Sequence, residues 1–66
     1  MSVGKIRRGG FVFVSWKGDH TPRHVHVYRG GELVLKWDLE NRRLMEGVPT
    51  LRVLKLILSL ERERRL

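Results

Sequence analysis

The hydrophobic period of this chain changes once, near Pro49, and that change restricts the folds it can adopt. Before Pro49, short β-branched and aromatic runs are separated by turn segments that contain glycine. From Thr50 to Arg64 there is no glycine or proline, and apolar residues recur throughout the run. The pattern predicts an α+β fold: a three- or four-stranded antiparallel meander with one C-terminal helix packed on one face.

Turn signals divide the first part of the chain into four predicted strands. Gly9-Gly10 precedes the first strand, Pro22 forces an extended approach to the second, and Gly30-Gly31 separates the second from the third. The third strand alternates apolar and polar residues, as a strand with one wet face does. We place the strands at about residues 11–16, 24–29, 32–40 and 43–46, and the helix at about 50–64.

The predicted helix carries more apolar surface than one sheet face hides easily. At 100° per residue its apolar positions span an arc of roughly 220°, about twice what a helix needs to rest on a sheet. Two interpretations stay open: a curled sheet wraps a deeply buried helix, or the second flank of the helix meets another subunit in a homodimer.

Length and composition predict a single small basic domain spanning residues 1–66. At this size a monomer buries only about 60% of the surface that its unfolded chain exposes, so help from a partner is plausible. The chain has no cysteine, which excludes disulfides and thiolate zinc sites. Fourteen Lys and Arg against seven Asp and Glu give a net charge of +7, which favours RNA or an acidic protein as partner.

Nothing in the sequence indicates a membrane protein. No apolar run reaches the roughly 18 residues that cross a bilayer, and the N-terminus has no apolar segment of signal-peptide length. We therefore expect a cytoplasmic protein without a membrane partner.

The three histidines of the chain, His20, His24 and His26, lie within seven positions. Imidazole has an unperturbed pKa near neutral pH, so the cluster suits proton transfer, metal binding or phosphate contact. Alternate side chains of a strand point to the same face, so His24 and His26 are expected side by side.

The pleat also predicts the direction in which the histidines point. If the two valines that alternate with them face the helix, then His24, His26 and Tyr28 share the opposite face. Lys36 and Asp38 are then their polar neighbours on the next strand. In the other register the histidines lie under the helix, where each needs a hydrogen-bond partner.

An open face of this kind suits a metal-independent ribonuclease that needs no cofactor. His24 and His26 are the candidate catalytic pair, one taking a proton from a ribose 2′-hydroxyl and the other protonating the leaving oxygen. Arg23 or Lys36 would hold the phosphate charge. The supporting candidates are His20, Tyr28, Lys36 and Asp38.

Two further chemistries use the same residues. A divalent metal such as zinc could be bound by His20, His24 and His26, or with Asp38 as the third ligand, in a small metal-dependent enzyme. Alternatively, the protein is a noncatalytic module that binds nucleic acid or protein, with rings stacking on bases and cations following phosphates. The candidate nucleic-acid-binding residues are Arg7, Arg8, Arg23, Arg29 and Lys36.

Several motifs of the chain carry a family resemblance. They are His20-x-Pro22-x-His24-Val25-His26-Val27, then Gly30-Gly31, Trp37-Asp38-Leu39-Glu40 and Glu46-Gly47-x-Pro49. From Gly10 through the helix, the pattern resembles a small bacterial domain of unknown function, numbered four-one-six-zero. The chain departs from it at Arg23, where a second proline is usual, and at Trp16.

The resemblance implies a function and a partner. It implies a toxin-like component of a bacterial toxin–antitoxin pair that acts on RNA, and a cognate small antitoxin-like protein as its partner. It assigns no catalytic residue, so the histidine pair rests on the reasoning from the strand pattern alone.

Overall fold

The structure, a computed structural model, describes residues 2–17 and 23–66, with the side chains of 4–15 and 23–66. Its elements in chain order are β1 (Ser2–Arg8), β2 (Phe11–Lys17), β3 (His24–Arg29), β4 (Glu32–Asp38), β5 (Arg43–Gly47) and α1 (Leu51–Arg62). No helix among these residues has the length and apolar character that a membrane span requires.

The strands form one antiparallel sheet in the order β1-β2-β3-β4-β5, so each strand pairs with its neighbour in the chain. The predicted α+β class, the meander and the C-terminal helix are confirmed. The predicted number of strands, three or four, is wrong because the sheet has five. The additional strand is β1, which precedes every strand predicted from the sequence.

β1 is held by its pairing with β2 along its whole length. The ladder runs from Ser2 opposite Lys17 to Arg8 opposite Phe11. Gly9 and Gly10 close the hairpin with φ angles of 61° and 83°, the left-handed backbone that a two-residue hairpin turn needs. β1 has too few apolar side chains for its hydrophobic pattern to predict a strand. Its pairing with β2 holds it in the sheet.

One face of the sheet, which we call the inner face, packs against α1 and holds the core. Its fully buried side chains include Phe13, Val25, Val27 and Leu35. The helix contributes its buried residues to the same cluster, and they are Val53, Ile57 and Leu60. Three to four residues separate them, so they line a single stripe of the helix.

The helix begins and ends within the predicted range. Thr50 caps its N-terminus, with the hydroxyl accepting a hydrogen bond from the Val53 amide at 3.3 Å. Leu51 and Leu58 remain 69% and 49% exposed. The interpretation in which a curled sheet buries the helix on both flanks is therefore wrong, because the sheet covers only one side.

Two ion pairs join the last turns of the helix to opposite parts of the sheet. Arg8 of β1 holds Glu63 through two hydrogen bonds of 2.6 and 2.9 Å. Arg42, in the turn between β4 and β5, lies 3.2 Å from Glu61. Both pairs are partly solvent-exposed, so each adds little to the stability of the fold.

Candidate nucleic-acid interface

β3 sends its side chains alternately to the two faces of the sheet. Val25 and Val27 are fully buried on the inner face. His24, His26 and Tyr28 are half-buried on the opposite side, which we call the outer face. The predicted direction of the histidines, away from the helix, is confirmed.

Register places basic residues of other strands beside the histidines. The side chains of the outer face include Lys5, Arg7, Val12, Val14, His24, His26, Tyr28, Lys36 and Glu46. In the row through His26, Lys5 pairs with Val14, Val14 with His26, and His26 with Lys36. The sheet thus places the imidazole and phenol rings between Lys5 and Arg7 of β1 on one side and Lys36 of β4 on the other.

The three rings of β3 lie close together. The ring centroids of His24 and His26 are 5.1 Å apart, and those of His26 and Tyr28 are 6.3 Å apart. Nδ1 of His26 and the Tyr28 hydroxyl are separated by 3.4 Å, and the tautomer of the imidazole decides which of them donates. Tyr28 therefore orients His26 from one side while His24 flanks it on the other.

The surroundings of His26 lower its pKa. Partial burial is the largest cause, followed by the positive charge that His24 and Lys36 bring. A nearby carboxylate, Glu46, opposes the shift, and it lies 3.3 Å from the Lys36 ammonium. His26 is consequently neutral at pH 7, the state in which an imidazole accepts a proton.

Asp38 lies opposite His24 in the ladder, as predicted, but its carboxylate belongs to the next turn. One oxygen accepts hydrogen bonds from the amides of Glu40 and Asn41, both at 3.0 Å, and the other accepts from Nδ2 of Asn41 at 2.8 Å. These hydrogen bonds, with those of Asn41 the strongest, lower the pKa of Asp38. The residue is only 2% exposed, so its carboxylate shapes the β4–β5 turn.

The five predicted nucleic-acid-binding residues do not share one surface. Arg7 and Lys36 lie on the outer face, and Arg23 is exposed just before β3. Arg8 is turned toward the helix by its ion pair with Glu63. The Arg29 guanidinium lies 5.5 Å from the centre of the Phe11 ring, a core residue, so it too is on the helix side.

Sequence reasoning missed Lys5, because it missed the strand that carries it. A signal was present, since Gly-Gly between two runs that alternate is typical of a hairpin. In that hairpin Lys5 and Arg7 fall on one face, and both are exposed on the outer face.

A metal site of the predicted kind does not assemble from the residues that the structure describes. Among them, no group of three or more His, Cys, Asp or Glu side chains converges in a way that could hold a metal ion. His20, the predicted third ligand and a supporting catalytic candidate, lies outside the described residues.

Comparison with known proteins identifies the family of the chain. No curated protein and no solved structure matches it. Residues 10–65 match a family defined as a domain of unknown function, DUF4160. Since this match spans β2 to the end of the helix, and thus most of the chain, the protein belongs to the DUF4160 family.

Proposed function

We propose that the protein is a toxin-like component of a bacterial toxin–antitoxin pair that binds RNA on the outer face and cleaves it with His24 and His26. The observation that carries the proposal is the row of His24, His26 and Tyr28, half-exposed between the cations of β1 and Lys36 of β4. The toxin–antitoxin setting is what the family resemblance implies.

Charge and rings on the outer face suit a single-stranded RNA. Lys5, Arg7 and Lys36 lie where they can follow phosphates, and counterion release favours such contacts. Tyr28 and the imidazoles offer faces on which unpaired bases stack. Tyrosine and histidine also bind the ribose hydroxyls that distinguish RNA from DNA.

The histidine pair suits transesterification at a ribose phosphate. Neutral His26 takes the proton of a 2′-hydroxyl, and the freed oxygen attacks the adjacent phosphorus. The bond from phosphorus to the 5′-oxygen breaks, and His24, acting as the general acid, gives a proton to that leaving oxygen. The products are a 2′,3′-cyclic phosphate and a 5′-hydroxyl, with Lys36 stabilising the charge on the phosphorane.

Binding is tested with a fluorescent single-stranded RNA and two charge-matched triple variants. Replacing Lys5, Arg7 and Lys36 with alanine should weaken binding at least tenfold at moderate salt. The control removes three exposed cations of the helix, which are Arg52, Lys55 and Arg62. Equal losses in both variants would mean that net charge, and not the outer face, determines binding.

Cleavage is tested in the presence of chelator. His24→Ala and His26→Ala should each lower the cleavage rate by about 10²- to 10⁴-fold, the range for a lost general acid or base. Tyr28→Phe keeps the ring and should cost much less. Cleavage that survives both histidine changes removes the active site, and cleavage that stops with chelator in the wild type points to a metal enzyme.

The toxin assignment has its own test in cells. Expression should arrest bacterial growth, and co-expression of the gene adjacent to this one should relieve the arrest. RNA binding without cleavage and without growth arrest would leave a noncatalytic binding module instead.

A further inference from the structure

The flank of α1 beside Trp37 of β4 and Arg42 of the β4–β5 turn carries apolar side chains that the sheet does not cover. Leu51, Leu54 and Leu58 are three and four residues apart, so they form one stripe on the helix. Leu51 and Leu58 are 69% and 49% exposed, whereas Leu54 is half-buried. An apolar stripe that stays in water is a feature of surfaces that bind another molecule.

Leu58 separates two depressions of different chemistry. On one side, a small depression is walled mainly by the apolar side chains of Trp37, Leu54, Ile57 and Leu58. On the other, Arg42, Lys55, Ser59, Glu61 and Arg62 surround Leu58. Three cations against one carboxylate make this second depression basic. The ion pair of Arg42 and Glu61 forms a wall common to both.

We infer that this pair of depressions, the helix-flank surface, binds an amphipathic acidic segment of a protein partner. An apolar side chain of the segment would enter the depression beside Trp37, and a carboxylate on the same face would lie among Arg42, Lys55 and Arg62.

Charge decides between this partner and the other occupants. A second copy of the chain also carries +7, and a symmetric contact would bring the same cations face to face. RNA would satisfy the cations but would leave Leu51 and Leu58 in water. An acidic amphipathic segment satisfies both parts of the surface.

The helix-flank surface and the outer face lie on opposite sides of the sheet. α1 packs on the inner face, whereas His24, His26 and Tyr28 project from the other. The inferred partner therefore binds without occupying the proposed RNA site. Either proposal can be wrong without affecting the other.

The test uses the full chain and a synthetic fluorescent peptide. The peptide is helical, about 18 residues long, with leucine on one face and glutamate on the other, and a second peptide replaces glutamate with lysine. We expect the acidic peptide to bind and the lysine peptide not to bind. Leu58→Glu should weaken binding of the acidic peptide at least tenfold.

A matched control and a folding check complete the experiment. Leu33→Glu introduces the same charge at a 37%-exposed leucine of β4 and should leave peptide binding within about twofold of the wild type. Leu58→Ser tests the apolar contact without adding charge and should also weaken binding. The thermal midpoint and the far-UV circular dichroism spectrum of each variant establish that it is folded.

Several results would overturn the inference. They are absence of peptide binding to the wild type, equal binding of the lysine peptide, and equal losses in Leu58→Glu and Leu33→Glu. A homodimer in sedimentation that Leu58→Glu dissociates would show that a second copy occupies the surface. Displacement of the acidic peptide by RNA that persists in the Lys5, Arg7, Lys36 triple variant would assign the surface to RNA.

Discussion

Two properties of His26 have different origins: the sequence pattern predicts the direction of its side chain, and the folded environment determines its pKa. Alternation along β3 was enough to predict its face, because a strand has a side-chain period of two. Its lowered pKa depends on burial and on the charges that His24 and Lys36 bring from β3 and β4, which only the folded sheet defines. The direction of the His26 side chain was therefore predictable from the sequence, whereas its protonation state was not.

We predict that His26 titrates below the pKa of 6.5 typical of a free histidine. Because folding lowers this pKa, neutral His26 stabilises the fold fully above about pH 6.5, and that contribution is lost as pH falls through the folded pKa. NMR titration of the ring protons measures the midpoint directly. His24→Gln should raise it by removing a positive neighbour, and a wild-type midpoint at or above 6.5 would contradict the environment described.

The location of Asp38 was predictable from the sequence, whereas the role of its carboxylate was not. The alternation of β4 put it on the face of Lys36 and opposite His24, and the ladder confirms that position. The use of its carboxylate depends on the turn that follows, where Glu40 and Asn41 offer their amides. An alternating strand pattern gives no information about hydrogen bonds in the turn that follows. The supporting catalytic role of Asp38 was therefore a hypothesis that its predicted face alone could not establish.

We predict that Asp38→Ala lowers the thermal midpoint by about 5 °C or more near neutral pH, because the amides of Glu40 and Asn41 lose their acceptor. The folded pKa of Asp38 is lowered, so its stabilisation is present above the unfolded pKa near 3.9 and is lost as pH falls through the folded value. The difference between wild type and variant should therefore shrink below about pH 4. Asp38→Asn, which keeps an acceptor, should cost less at pH 7, and a difference constant down to pH 2 would contradict this role.

At the scale of elements, strands with a strong apolar pattern were predictable, and the first edge strand, β1, was not. β3 and β4 alternate apolar with polar residues, and β2 is an apolar run between two turn signals, so each has a readable pattern. β1 is exposed at Lys5 and Arg7 and depends on the β2 ladder and on the Gly9-Gly10 turn. Sequence-based prediction also extended β4 to residue 40, whereas the Asp38 turn ends it at 38.

The β4–β5 ladder requires glycine at position 47. Gly47 has a φ of 92°, and a Cβ there would collide with the backbone of Val34 and Leu35. We predict that Gly47→Ala destabilises the fold by about 3 kcal/mol or more, since a left-handed conformation and a backbone clash coincide. Denaturant unfolding measures the loss.

Gly31 is the matched control for that substitution. It also has a positive φ, 80°, but nothing lies near the position of its Cβ. Gly31→Ala should therefore cost only about 1 kcal/mol, the penalty for left-handed backbone. Equal losses at positions 31 and 47 would show that the approach of β4 to Gly47 contributes nothing.

At the scale of the whole molecule, some basic side chains lie on the outer face of the sheet and others lie on the side of the helix. Composition predicted RNA or an acidic protein as partner, but it could not assign cations to faces, because Arg8 and Arg29 belong to the same strands as outer-face residues yet turn toward the helix. Only the strand register and the side-chain contacts show on which face each cation lies. The structure accordingly places only Arg7 and Lys36 of the strand-borne candidates on the outer face, and Lys5 lies on the same face.

This division predicts how RNA affinity depends on salt. Each phosphate contact to a single strand contributes about 0.7 to the slope of log K against log salt concentration. Replacing Lys5, Arg7 and Lys36 should reduce the slope by about 2, whereas replacing Arg52, Lys55 and Arg62 should leave it unchanged. Fluorescence anisotropy over a salt series gives both slopes, and identical slopes in the two variants would contradict the assignment of phosphates to the outer face.

The order of strands in the meander has a consequence for how the molecule forms. Every ladder joins consecutive strands, so each hairpin closes a short loop, and the chain has low contact order for a protein built on a sheet. Docking of α1 is different, because its contact between Arg8 and Glu63 spans 55 positions. On the ribosome, the strands therefore emerge and can pair before the helix exists, and their apolar inner face stays open to water and to chaperones until α1 has been synthesised.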